Sequence, residues 1–450
     1  VTRAGARRRV ASLLSIGLAL WFAASASAFV LRSDKPVPLT RPPTVIAIMG
    51  VTVVDVVTGE ERPRQTVILV GGRIDRIGSR LAVPARARRV AGSGKFLIPG
   101  LWDMHTHHQA TGEASLPLFV ANGVVGTRDM GSDLAFILPL RQRIRDGSLL
   151  GPKIVAAGPI LDAAPADWPF RRHVGNAAEA RVAVRDLKRA GVDFIKVHDQ
   201  TPRDAFFAIA DESAKLGLPF AGHVPSSVTV DEAAASGMAS IEHLANYRIF
   251  LECSAGGSYS FSKCRPLFDR LAANHVWQTP TLAFFETIPD LFTGKPPLHF
   301  DYASPGLREL WRKNQEGSKL SEASIAFLRG AGQSALTAVK DMRGRGVQFL
   351  AGCDGLVPGF CLQDELEWLT RAGLTPLEAL QAATINPARF LKRDAVEGSI
   401  QTGKAADLVL LGADPVADVR NIRTIKGVFL NGRYFDRAQL DRLIAHARCC

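Results

Sequence analysis

The chain has 450 residues, 47% hydrophobic and 22% charged, with 40 Gly and 26 Pro. That composition suits a folded protein and excludes a disordered or collagen-like one. The formal charge is +12, from 55 Lys and Arg against 43 Asp and Glu, but no basic block carries interleaved aromatics, so a nucleic-acid partner is not expected. Six Cys are too few for a disulfide scaffold.

Residues 1–28 read as a signal peptide. Arg3, Arg7, Arg8 and Arg9 precede the apolar run Val10 to Ala24, and Ala26-Ser27-Ala28 has the small-residue pattern of a cleavage site. The implied location is periplasmic or secreted, with no stable membrane span after processing. A membrane anchor is the alternative, for which the apolar core is short. Residues 29–43, with Pro36, Pro38, Pro42 and Pro43, read as an extended lead-in.

Strand-like runs follow at Val45–Ile48, Val51–Val57, Thr66–Val70 and Arg73–Ile77, punctuated by Thr58-Gly59 and Gly71-Gly72. They predict a small β-module over residues 29–97. From Phe96 onward, short apolar runs alternate with helix-length amphipathic stretches such as Ala177–Ala190 and Asp231–Ser236. The runs are Phe96–His107, Val124–Met130, Lys153–Ala157, Phe194–His198, Pro219–Val224, Ser240–Leu244, Trp277–Leu282 and Gln348–Asp354. Eight strands alternating with helices predict a closed (β/α)8 TIM barrel over residues 98–392. Residues 245–276 and 283–330 exceed ordinary connections and read as insertions over the barrel mouth. A helix is expected from Pro376 to Ala383, with Pro in its first turn. Strands return at Leu408–Leu411 and Val428–Leu430, with a turn at Asn431-Gly432. Residues 393–450 then complete a β-sandwich with the N-terminal module.

The ends of the barrel strands carry the chemistry. His105 and His107 are two apart on a strand and share a face, so both imidazoles can grip one metal ion, and His108 points away. Lys196 stands inside the apolar strand Phe194–His198. It could snorkel or pair with an acid, or it could take up carbon dioxide and become a bridging carbamate, since an unpaired buried ammonium is costly. His223, His243 and Asp354 end three later strands. A lone core histidine is usually structural, but convergence of these six groups at the C-terminal ends of barrel strands points to a metal site.

His105-Thr106-His107, Lys196, His223, Ile241-Glu242-His243 and Asp354 resemble the metal-dependent amidohydrolase superfamily. Phe96–His107, Gly126–Gly131, Ala382–Ala388 and Gly403–Leu408 are similar to its imidazolonepropionase-like and prolidase-like branch, over about residues 45–440. The resemblance implies two divalent ions, usually zinc. His105 and His107 would hold one, His223 and His243 the other, and a carbon dioxide-derived carbamate on Lys196 would bridge them. Asp354 would complete the first ion and shuttle the proton of a bridging hydroxide that attacks a carbonyl. The implied reaction is hydrolysis of amide bonds in small substrates such as dipeptides, Xaa-Pro among them, or N-acyl amino acids. Hydrolysis of lactones or cyclic amides on the same site is an alternative, and so is a barrel that binds ligand without catalysis.

Arg128 could bind a substrate carboxylate or pair internally between strand ends. Tyr247, four residues after His243, could touch substrate. His198 shares the parity of Lys196, with a supporting role favoured. Cys253 and Cys264 could bond across the mouth insertion, Cys353 should point away from the metals, Cys361 reads as a packing residue, and Cys449 and Cys450 could link chains. Self-association is left open.

Overall fold

The computed structural model describes residues 45–449 apart from 164–169, 247, 256–257, 297 and 318–319. The signal-peptide reading, the Pro-rich lead-in, Tyr247 and Cys450 lie outside the described residues.

The strands in chain order begin with β1 (Val45–Val54), β2 (Glu61–Val70), β3 (Arg73–Gly78), β4 (Arg88–Ala91) and β5 (Phe96–Pro99). Then come β6 (Leu101–Thr106), β7 (Val124–Asp129), β8 (Lys153–Ala156), β9 (Ile160–Asp162) and β10 (Arg171–His173). After these lie β11 (Ile195–Val197), β12 (Phe220–Gly222), β13 (Ser240–Glu242), the hairpin β14 (Ser254–Ala255) and β15 (Ser258–Tyr259), and β16 (Trp277–Thr279). The chain closes with β17 (Leu408–Leu411), β18 (Ile425–Leu430) and β19 (Arg433–Asp436).

Both ends of the chain build one sheet. Its order is β19-β18-β17-β5-β1-β2-β3, with β4 also paired to β1. The junction is antiparallel, Leu408 opposite Pro99 and Leu411 opposite Phe96. All eight strands of the expected β-module are thus hydrogen-bonded into one sheet. Its long strand β1 takes β4 along Ile46–Met49 and β5 along Thr52–Val53. An irregularity between Ile48 and Val51 separates the two pairings, and such bulges bend a strand. Ile46, Ile48, Val53, Leu69, Leu97, Leu410 and Phe429 form one buried cluster inside it.

The middle of the chain is mixed α/β with parallel sheets. One holds β6-β7-β8 and the other β10-β9-β11-β12-β13-β16, so the strands are registered as two sheets rather than as the closed barrel expected. Backbone bonds run between and beyond them. Asp193 N donates to Ala156 O at 2.8 Å, Met104 N to Ala351 O at 2.8 Å, and Leu350 N to Gln278 O at 2.9 Å. The eighth expected strand, Gln348–Asp354, is reduced to one bridge between Phe349 and Gln278.

The expected helix Ala177–Ala190 forms over those residues. The Asn176 side chain accepts the Glu179 amide at its start, and Gly191 stops it at φ 83°. Ala180, Ala183, Val184 and Leu187 are buried, the i, i+3, i+4, i+7 stripe of a helix on a core. Full burial of Leu187 alone is worth roughly 1.5–3 kcal/mol. This packing seats β11 and its Lys196. The helix at Pro376–Ala382 starts with a capping box from Thr375 and Glu378. The described parts of residues 245–276 and 283–330, read as insertions, fold largely as helices, among them Phe261–Ala273, Leu282–Thr293, Pro305–Gly317 and the start of Glu322–Gly344. Two of these are the ordinary connections into β16 and into the Phe349 bridge. Among the described residues, no helix is long and apolar enough to cross a membrane.

Candidate metal centre

His105 and Asp354 are brought together by backbone contact. Asp354 N donates to His105 O at 2.9 Å. A Cβ on Gly352 would lie 2.7 Å from His105 Cβ and 2.9 Å from His105 N, so only glycine lets this peptide pass so close. Gly222 does the same beside Lys196: at φ 135° its missing Cβ would meet Val197 O at 2.3 Å and Lys196 Cδ at 2.8 Å.

Strand ends then turn sharply. His243, Leu244, Ala245 and Asn246 have φ between 50° and 56°, Thr281 has 51° and Asp354 has 51°. Left-handed non-glycine residues cost about 1–3 kcal/mol each and cluster at functional sites. His243 therefore sits on a left-handed turn after β13 rather than on the strand itself.

The imidazoles are oriented from behind. His105 Nδ1 lies 2.9 Å from Glu242 Oε2, His107 Nδ1 lies 3.3 Å from Gly131 O, and His243 Nδ1 lies 2.7 Å from Thr281 Oγ1. Their Nε2 atoms converge on Asp354, at 3.6, 3.3 and 3.5 Å respectively. His105 Nε2 and Lys196 Nζ are buried with no hydrogen-bond partner among the described residues. His105, whose outer nitrogen is held by a carboxylate while its inner one has no partner among the described residues, is arranged as metal ligands are.

These residues fit a divalent cation. The ligand atoms of His105, His243 and Asp354 lie within 4.8 Å of one another, and so do those of His198, Asp199 and His223. His223 Nδ1 is 3.1 Å from Asp199 Oδ1 and 2.9 Å from Asn246 Nδ2, and its ring stands 4.9 Å from that of His243. His243 thus faces Asp354 and His105 as well as His223, and His223 also lies 4.0 Å from His198 ring to ring. A third group, Asp103 with Cys353 and Cys361, is closed to metal because the two sulfurs are bonded to each other.

Burial governs the electrostatics. It lowers the pKa of His105, His198, His223 and His243 well below the ordinary imidazole value, leaving neutral rings. It also brings the Lys196 amine down to about 8 against the pull of Glu242 and Asp354. For Asp354, burial pushes upward, but His243, His107 and Lys196 outweigh it and hold the carboxyl below its usual range.

Arg128 is not at a substrate surface. It is fully buried, and its donors are spent inside the fold on Met104 O at 2.7 Å, Ser240 Oγ at 2.8 Å and both Glu242 oxygens at 2.9 Å. The internal pair wins because a buried guanidinium needs a carboxylate. His108 turns away from the other histidines onto Thr127 Oγ1 at 2.8 Å. Cys253 is bonded to Cys264, and Cys353 to Cys361, so Cys361 is no mere packing residue.

Glu242, Asp199, Asn246 and Thr281 had no role assigned from sequence. Glu242 stood within the Ile241-Glu242-His243 phrase, and an acid in a short apolar run was the available signal. Nothing local marked Thr281 or Asn246.

A model of the amidohydrolase family matches residues 96–434. Ochratoxinase of Aspergillus niger is 24% identical over 464 residues, covering 87% of this chain and 88% of that one. The structure of a bottromycin amidohydrolase superposes with a TM-score of 0.73 at 23% identity, covering 90% of this chain and 91% of that one. A prolidase solved with N-methylphosphonate-L-proline gives a TM-score of 0.68 at 20% identity, covering 87% and 100%. The family match spans the strands that bear the converging histidines, Lys196 and Asp354, and the chain therefore belongs to the amidohydrolase family, as a hydrolase of carbon–nitrogen bonds.

Proposed function

We propose that this chain is an exported, binuclear metal-dependent hydrolase of amide bonds in small substrates such as dipeptides, Xaa-Pro among them, or N-acyl amino acids. The observation that carries the reading is the convergence of the His105, His107 and His243 Nε2 atoms on Asp354 beside the unpartnered, buried Lys196 Nζ. The printed activities of the prolidase and ochratoxinase relatives favour an amide or peptide substrate. Two disulfides favour an oxidising compartment.

The parallel strands are read as one (β/α)8 ring over residues 98–392, supported by the Asp193–Ala156, Met104–Ala351 and Leu350–Gln278 backbone bonds. Residues 29–97 and 393–450 make up the β-module beside it.

His105, His107 and Asp354 would hold one ion, His223 and His243 the second, and a Lys196 carbamate would join them. Lys196 reaches that state when its neutral amine adds to the carbon of carbon dioxide and releases one proton to solvent. The product replaces a buried cation with an anion among neutral imidazoles. When bound, zinc or a similar divalent ion supplies Lewis acidity toward the carbonyl and makes water acidic. The chain's own part is to hold the imidazoles through Glu242, the Gly131 carbonyl, Thr281 and Asp199, and to move a proton at Asp354. Asp354, held as carboxylate by His243, His107 and Lys196, accepts the proton of the attacking water and returns it to the leaving nitrogen.

The test is metal-loaded protein assayed against dipeptide, N-acyl amino acid and lactone panels, with Asp354→Asn alongside. Turnover of an amide with about two ions per chain, reduced at least about hundredfold in the variant, is expected. A chain that folds with no bound metal, or an Asp354→Asn variant with full turnover, overturns the reading.

A further inference from the structure

The opposite end of the parallel strands holds a cavity of about 1020 Å³. The histidines and Asp354 stand where strands end, whereas this cavity is lined where they begin, by Lys153, Phe194, Pro219, Ala239 and Trp277. Its size is at the upper end for small-molecule sites.

Its chemistry is lopsided. Arg141, Arg145, Lys153, Arg389, Lys392 and Arg393 line it, and Asp193 is the one acid among its lining residues. Three of these cations have carboxylate partners: Arg141 with Asp193, Lys153 with Glu397 and Asp407, and Arg393 with Glu397. Arg145, Arg389 and Lys392 have no ion pair among the described residues. Cations gathered in a concave wall raise the local concentration of anions.

The floor is aromatic. Trp277 meets Phe390 edge to face at 6.1 Å between centroids. The Arg128 guanidinium lies over Phe390 at 5.1 Å and Phe194 at 5.7 Å. Arg128 is fully buried beneath these rings, with its donors on Met104, Ser240 and Glu242, so it backs the aromatic floor rather than meeting a guest. Trp277 and Phe390 are only partly buried, leaving ring surface for a guest.

We infer that this cavity binds a small organic anion with a flat apolar body, such as an aryl carboxylate, sulfonate or phosphate, at a site separate from the metal centre. The acid group pairs with Arg145, Arg389 and Lys392, and the ring rests on Trp277 and Phe390.

Naphthalene-1-sulfonate tests this by calorimetric titration of the full metal-loaded chain, with neutral 1-naphthalenemethanol as comparison. Saturable binding of one sulfonate per chain is expected. The affinity should weaken with added NaCl and fall at least about tenfold in Arg389→Ala/Lys392→Ala, each tenfold being one decade in Kd. The alcohol should bind at least about tenfold more weakly, and Trp277→Phe should remove the fluorescence change that accompanies binding. Arg145→Glu, at an exposed helix end, serves if the double variant melts early. No saturable binding, or the same Kd in the variants as in the parent, overturns the inference.

Discussion

His105 and Arg128 share one carboxylate. Glu242 Oε2 lies 2.9 Å from His105 Nδ1 and 2.9 Å from Arg128 Nη2, and all three side chains are fully buried. Glu242 thereby does two jobs, fixing the tautomer that bares His105 Nε2 and neutralising a guanidinium in the middle of the fold. Glu242→Gln should lower metal affinity or turnover roughly 10–100-fold. It should also cost about 3–5 kcal/mol, because the Arg128 charge is left uncompensated. Metal content, kcat/KM and denaturant unfolding read the two effects separately.

Lys196→Ala should reduce the metal content from about two ions per chain toward one, and turnover by at least about a hundredfold, worth ~2.7 kcal/mol of transition-state stabilisation. A bridging role predicts partial rescue by a short carboxylate such as propionate, which a lysine with a purely structural role would not give. Metal analysis of the purified variant, with and without the added acid, is the measurement.

The Cys353–Cys361 bridge ties the residue before Asp354 to the helix Phe360–Arg371. Closing a loop of 8 residues is worth about 2.5 kcal/mol in the chain-entropy picture. Cys361→Ser should lose that much stability and lower kcat more than it changes KM, since Asp354 is held less firmly. With Cys253–Cys264 also bonded, thiol titration of denatured, unreduced protein should find only Cys449 and Cys450 to react. Six reactive thiols would contradict both bridges.

Glu365 is fully buried, accepts the Ala283 amide at 2.8 Å, and burial pushes its carboxyl up to about 8 from an ordinary 4.5. The folded chain thus holds a proton that the unfolded chain gives up between those values. Stability from this group is intact below about 4.5 and falls by up to about 1.4 kcal/mol per pH unit as pH rises toward about 8. Glu365→Gln should remove that slope and become more stable than the parent at alkaline pH. Melting temperatures of both proteins between pH 5 and pH 9 would show the two curves diverging; parallel curves would refute the assignment.

Much of this was readable from local order along the chain. The Ala177–Ala190 stripe, the Pro376 helix and the β17–β18 runs follow from residue periodicity and turn residues, which act over a few neighbours. The family resemblance, not periodicity, is what names His105, His107, Lys196, His223, His243 and Asp354 as one group. What local order could not reach is how groups distant in sequence meet. The preference of Arg128 for Glu242 over a substrate follows from burial that several separate strands create together. The approach of His243 to Asp354 follows from left-handed turns at both residues, and no periodicity marks a turn whose strain is borne by the surrounding packing. The sheet unites both ends of the chain because β5 takes β1 from the N-terminal segment on one side and β17 from the C-terminal segment on the other, and the basic cavity exists because residues 141–155 and 389–393 close on the same strand ends.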